Sequence, residues 1–124
     1  MFGIGIDICD VQRFERLQKN KAFIERIFSD NEIEYCTNKR KASAQSFAAR
    51  FAAKEAFLKA LGTGIGKGIR LKEIEVRNNQ SGSPGIILHG KSRETVKKLK
   101  TGNIQVSISH EKNTAVAVVI IEKE

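Results

Sequence analysis

Phe47 to Gly66 reads FAARFAAKEAFLKALGTGIG. Six alanines together with Leu58 and Leu61, set among Phe47, Phe51 and Phe57, give it helical composition. Gly62-Thr63-Gly64 ends it, because glycine supplies the left-handed residue that closes a helix. At about 100° per residue, Phe47, Phe51, Phe57, Leu58 and Leu61 fall on one arc and the alanines on the opposite one. No wide polar face remains, so this helix is expected to be buried nearly all round. Its charges are Arg50, Lys54, Glu55 and Lys59. Glu55 lies in angle between Phe51 and Leu58. A carboxylate among apolar neighbours is costly unless it is paired or binds a metal. A plain Glu55–Lys59 pair at i, i+4 is one way to satisfy it.

The whole chain has 124 residues, the size of one domain, and 40% of them are hydrophobic. The alanine arc and the apolar C-terminal run ask for more covering than so small a chain offers, which points to an oligomer. A net charge of +8 favours polyanionic partners: nucleic acid, a phosphorylated small molecule, an acidic protein or an anionic membrane. Single-strand nucleic-acid binders use exposed stacking rings, and most of the few aromatic residues here stand at core positions. Cys9 and Cys36 have no metal-ligand spacing and are too few for a disulfide framework. No signal peptide is read at Met1-Phe2, and no apolar run approaches the roughly 20 residues that span a bilayer. A reduced, cytoplasmic setting without a membrane partner is expected.

Phe2 to Ile8, FGIGIDI, alternates strictly. Ile4, Ile6 and Ile8 take one face of a strand, expected to meet the core. Gly3, Gly5 and Asp7 take the other, where missing side chains let a backbone or a ligand approach. Asp10 can cap a helix through Lys19, with Arg13 and Arg16 projecting outward. Asn20 to Phe28 reads as a second helix. Ser29-Asp30-Asn31-Glu32 is a capping box for a third, Asn31 to Thr37. Lys39-Arg40-Lys41 reads as a solvated basic run. After the central helix, GTGIGKGIR places four glycines in a loop of the kind that can cradle phosphate. Leu71 to Arg77 and Ile86 to His89 form a hairpin around Asn78 to Gly85, with Glu73, Glu75 and Arg77 outward. Ser92 can cap a short helix through Lys100. Ile104 to Ser109 alternates and leads to His110. Thr114 to Glu122 is apolar on both faces, so it is central in a sheet or buried at a subunit contact. The order predicts an α+β fold, an antiparallel sheet packed on a long central helix.

Polar groups thus stand in three unusual places: Asp7, Glu55 and Ser109-His110. Two carboxylates with waters and a substrate phosphate are the common way to hold Mg²⁺. Arg50, Lys54, Lys59 and the glycine loop suit phosphate. Together they point to phosphate-ester chemistry on an anionic substrate.

GIGIDICDVQRF, FAARFAAKEAFLKALGTGIG and VSISHEKNTAVAVVI resemble, in order, the three signature stretches of the holo-acyl-carrier-protein synthases, the small 4′-phosphopantetheinyl transferases. IEVRNNQSGSPGIILHG resembles that family's hairpin. The weakest match is Leu17 to Ala44. The resemblance implies coenzyme A as substrate and Mg²⁺ on its pyrophosphate, held by Asp7 and Glu55. Lys59, Arg50, the Gly62-Thr63-Gly64 loop and Ser109-His110 would line the coenzyme A site. The acceptor would be a serine of an acidic acyl carrier protein, docked on Arg13. Adenosine 3′,5′-bisphosphate would leave, with Lys59 stabilising its charge. The serine proton would pass to Glu55, or to a water activated near Asp7. The resemblance further implies a homotrimer with the site between adjacent subunits. The competing class is a basic module for nucleic acid or another polyanion. Asp7 and Glu55 argue against it, since carboxylates in a basic cleft repel phosphate unless a metal intervenes. Broader transferases that serve large synthases are about twice this length, as two fused copies of such a unit.

Overall fold

The computed structural model describes residues 1–62 and 68–124. Strand β1 (Gly3–Asp10) runs directly into helix α1 (Val11–Leu17), where the Asp10 side chain accepts the Gln12 N–H at 2.9 Å. Helix α2 (Lys21–Ile27) is capped by Asn20, and α3 (Asp30–Thr37) by the Ser29–Glu32 capping box. The long helix α4 (Ser43–Leu61) begins a turn before Phe47. It ends at Gly62, whose φ of 78° permits its N–H to reach the Leu58 and Lys59 carbonyls. A 3-10 turn (Leu71–Glu73), strands β2 (Ile74–Asn78) and β3 (Pro84–Leu88), helix α5 (Gly90–Lys98) and strands β4 (Thr101–His110) and β5 (Thr114–Lys123) follow. Among the described residues, no helix is long and apolar enough to cross a membrane.

β5 takes the centre of a three-stranded antiparallel sheet in the order β1-β5-β4, as its two-sided apolar run requires. β2 and β3 form a separate hairpin. One face of the larger sheet carries Ala115, Ala117, Val119 and Ile121 and is buried under α4. Phe14, Phe28, Phe47 and Phe51 pack edge-on or tilted beside it, joining α1, α2 and α4.

β1 departs from expectation. Its isoleucines do not meet the core: Ile4, Ile6 and Ile8 are 57%, 59% and 69% exposed. The glycine face turns inward instead. A Cβ on Gly3 would overlap the Ala60 carbonyl, and one on Gly5 the Ala56 carbonyl. The missing side chains let the strand lie against the helix backbone, and Asp7 follows on the same face. Register places Ile4, Ile6 and Ile8 beside Ile120, Val118 and Val116 of β5, so the outer face of the sheet is an apolar stripe.

Two further expectations are corrected. Lys54 is not directed at a phosphate; it is fully buried, and its ammonium pairs with Glu32. Ser92 does not cap α5. The Glu73 carboxylate accepts both the N–H and the hydroxyl of Ser92, while the Ser92 oxygen accepts the Arg70 N–H at 2.8 Å.

Glu75, expected outside, is also buried. Burial pushes its carboxyl up. Hydrogen bonds from Ser29 and His89, the charge of Arg77 and the Asn31 amide outweigh this and hold it below the ordinary range. A depressed carboxyl stabilises the fold above its unfolded pKa, and that contribution is lost as pH falls through the folded one. Glu75→Gln should therefore lower the urea midpoint most at neutral pH. The gap to wild type should narrow as pH drops below the ordinary value of 4.5. Urea titrations at several pH values check this.

Candidate active site

The glycine-faced strand and α4 bring Asp7, Glu55 and Lys59 together. Lys59 Nζ donates to Asp7 Oδ1 and to the Ile6 carbonyl, both at 3.0 Å. The i, i+4 pairing of Glu55 with Lys59 gives way to this cross-element bond. Asp7 is 17% and Lys59 56% exposed at the side chain, so the pair opens to solvent. Glu55 is half-buried. Burial pushes its carboxyl up first; the negative charge of Asp7 pushes further, and Lys59 and Arg13 oppose. The charge of Asp7 beside the Glu55 carboxyl creates the field a cation relieves. Arg13 lies at the rim of this cluster, its guanidinium carbon 5.8 Å from the centre of the Phe51 ring.

A second group forms elsewhere. Arg50 and His110 line a cavity of about 380 Å³ with Tyr35, Lys39, Asn78 and Pro84. The Arg50 guanidinium stacks 3.9 Å from the centre of the Tyr35 ring and donates to Asn78 Oδ1 at 3.3 Å. The Asn78 amide in turn donates to the Tyr35 hydroxyl at 3.1 Å. Lys39 covers the same ring at 4.7 Å. Arg50 Nε is buried and has no partner among the described residues. Three basic side chains and an unsatisfied donor give this cavity a lining suited to an anion.

Within one chain the two groups stay apart. Asp7 lies on β1 and His110 on β4, the two edges of the sheet, with β5 between them. Two strand spacings separate the edges by about 10 Å. Ser109 is not in the cavity. It pairs with Val116 in the row that holds Ile8, while Ile108 and His110 point to the other face. Gly62 is the helix cap; Thr63 and Gly64 lie outside the described residues.

Tyr35, Lys39, Asn78 and Pro84 were not legible as site residues. Lys39 stands in a basic run that reads as solvent-facing, and Asn78 and Pro84 read as turn formers. Tyr35 is the chain's single tyrosine, the one available hint.

The family described as the 4′-phosphopantetheinyl transferase superfamily matches residues 3–119. The chain belongs to this superfamily. Among relatives, it is 48% identical over 122 residues to the holo-[acyl-carrier-protein] synthase of Treponema denticola, covering 98% of each chain. A holo-(acyl-carrier-protein) synthase structure from Bacillus anthracis, in complex with CoA (3′,5′-ADP), superposes with a TM-score of 0.82 at 40% identity. It covers 99% of this chain and 97% of its own. The Helicobacter pylori synthase in complex with coenzyme A gives 0.83 at 36% identity, over 96% and 99% of the two chains. As a superfamily member, the chain has the expected α+β fold and an antiparallel sheet packed on a long helix.

Proposed function

We propose that this chain transfers 4′-phosphopantetheine from coenzyme A to a serine of apo acyl carrier protein, releasing adenosine 3′,5′-bisphosphate. The observation that carries this reading is the Asp7–Lys59 pair beside Glu55, set in the fold of synthases that bind coenzyme A. A nucleic-acid module has no use for that carboxylate pair.

The fit to Mg²⁺ rests on the donor set. Asp7 and Glu55 are hard oxygen ligands, and no third His, Cys, Asp or Glu joins a cluster among the described residues. Mg²⁺ commonly takes one or two carboxylates and keeps water and phosphate oxygens for the rest. Held by Asp7 and Glu55, Mg²⁺ would neutralise the pyrophosphate and favour charge on the departing phosphate.

Arg50, Lys39 and His110 receive the adenosine 3′,5′-bisphosphate half of coenzyme A in the cavity. The carrier serine oxygen attacks the pantetheine-side phosphorus. A new P–O bond forms, the pyrophosphate P–O bond breaks, and the bridging oxygen leaves with the electron pair. Lys59 faces that growing charge. The serine proton passes to Glu55 or to water beside Asp7.

This path needs both residue groups at one coenzyme A molecule. The apolar stripe of Ile4, Ile6, Ile8, Val116, Val118 and Ile120 provides the means. Covering it with further copies makes a homotrimer and sets the Asp7 edge of one copy by the His110 edge of the next. A cytoplasmic setting accords with the two free, buried cysteines.

Arg13 at the rim docks the acidic carrier, helped by the net charge of +8. Arg13→Glu should raise the carrier KM about tenfold or more at low salt, with a smaller effect at high salt. The coenzyme A KM should barely change. Initial rates at two ionic strengths check this, and a wild-type carrier KM at low salt would remove Arg13 from the docking surface.

The activity itself is tested by incubating the protein with coenzyme A, Mg²⁺ and apo carrier and weighing the carrier. A gain of one phosphopantetheine supports the reading. An unchanged carrier mass under conditions where a known synthase converts it would refute it.

A further inference from the structure

We propose that Lys54 is a positioning residue: its buried ammonium fixes the rotation of α4 and thereby aims Glu55, Lys59 and Arg50. The inference rests on the transferase reading above, since it concerns where those three side chains point.

One side of α4 offers little that fixes its rotation. Ala44, Ala48, Ala49, Ala52, Ala53, Ala56 and Ala60 make up that side, and all are buried. Ridges of methyl groups are shallow, so turning such a helix replaces one small contact by another. Interlocking of large side chains, which normally sets helix orientation, comes only from the opposite side, from Phe47, Phe51, Phe57, Leu58 and Leu61. On one flank the close approach of Gly3 and Gly5 sets the distance between strand and helix.

Lys54 supplies direction. Its three N–H donors meet three acceptors: Glu32 Oε1 at 2.7 Å, the Leu71 carbonyl at 2.9 Å and the Ile74 carbonyl at 2.6 Å. Lys54 and Glu32 side chains are 0% exposed. Glu32 is itself fixed, since Oε1 also accepts the Ser29 N–H and Oε2 accepts the Val76 N–H. One ammonium therefore ties α4 to α3, to the 3-10 turn and to β2. Buried charge pairs are weak stabilisers but can specify register, because any shift strands a charge without its partner.

What hangs from this brace is the machinery. Glu55 is the next residue, and Lys59 follows within two turns. Arg50 lies one turn before, bonded to Asn78 at the end of the same β2 that Lys54 holds. Side-chain tips lie about 5–6 Å from a helix axis, so a rotation of about 20° carries them about 2 Å. Misplacement by about 1 Å can cost a hundredfold in rate.

The test compares Lys54→Met with the double variant Lys54→Met/Glu32→Met, in which no charge is left buried alone. Thermal melts and transfer kinetics are measured well below each melting point. The single variant should melt lower, and the apolar pair should recover most of the Tm. Neither should recover rate: kcat/KM for coenzyme A should stay at least tenfold below wild type. A merely structural pair would return activity together with Tm. Glu32→Gln, which keeps the shape and removes the charge, carries the test if the methionine variants do not fold, with kcat/KM again expected at least fivefold down. Activity within twofold of wild type in any folded variant overturns the role of Lys54. Wild-type transfer in the same assay keeps that failure distinct from a failure of the transferase reading.

Discussion

Replacing Glu55 by glutamine should lower kcat by about a thousandfold, within the range of about 10²–10⁴ that a positioned acid or base commonly contributes. The fold should not suffer. Glutamine keeps the volume, and the charge it removes is one that burial and Asp7 already disfavour. Thermal stability should therefore hold or rise slightly while activity is lost. This opposite movement separates a functional carboxylate from a structural one. Glu75→Gln should behave in the reverse sense, losing stability, because its carboxylate is held by four side chains. Steady-state rates and melting curves on both variants decide it. A Glu55→Gln protein within tenfold of wild-type kcat would remove Glu55 from the chemistry.

Gly5→Val should bring down the fold. The new Cβ would overlap the Ala56 carbonyl oxygen and stand 2.7 Å from the Ala60 backbone nitrogen. These are main-chain atoms of a hydrogen-bonded helix and cannot swing aside as a side-chain end can. Overpacking of this kind costs about 1–3 kcal/mol where neighbours yield, and more where they do not. Against a total stability of about 5–15 kcal/mol, much of the chain should be unfolded at 37 °C. Ile6→Val, one position along on the outer face, is the control and should leave the urea midpoint of the isolated chain nearly unchanged. A Gly5→Val protein as stable as this control would contradict the close strand–helix packing that delivers Asp7 to Glu55.

The local grammar of the sequence was readable because its signals are local. Asp10 and the Ser29–Glu32 box each bind an amide two or three residues away, and Gly62 needs only its own φ. The two-sided apolarity of Thr114 to Glu122 likewise placed β5 at the centre of its sheet. Alternation in β1 revealed two faces but could not say which one is covered in a single chain. Isoleucine is apolar whether it meets its own core or another copy, and here α4 took the glycine side. Lys54 and Glu75 were misread for a different reason, and Glu32 was read as a cap without its partners Lys54 and Val76. Several of their partners lie 17 to 46 residues away, from Leu71 on Lys54 to Ser29 on Glu75, and no spacing rule reaches that far. Asp7, Glu55, Lys59 and Arg50 were legible as candidates because each is a charge in an apolar or glycine-lined setting. The cavity around Arg50 draws on α3, α4, the β2–β3 hairpin and β4, so most of its lining could only come from the fold.

The most direct test of the account is to mix two inactive variants. Glu55→Gln spoils the half-site at the β1 edge, and Arg50→Ala spoils the half-site at the β4 edge. Each alone should fail to load the carrier. If every working site takes one half from each of two neighbouring copies, random trimers of an equal mixture carry about one quarter of the wild-type sites, since each half is intact with a chance of about one half. After unfolding and refolding the two together, the mass of the carrier should shift at about one quarter of the wild-type rate. Activity no greater than the sum of the separate variants would contradict a site shared between copies.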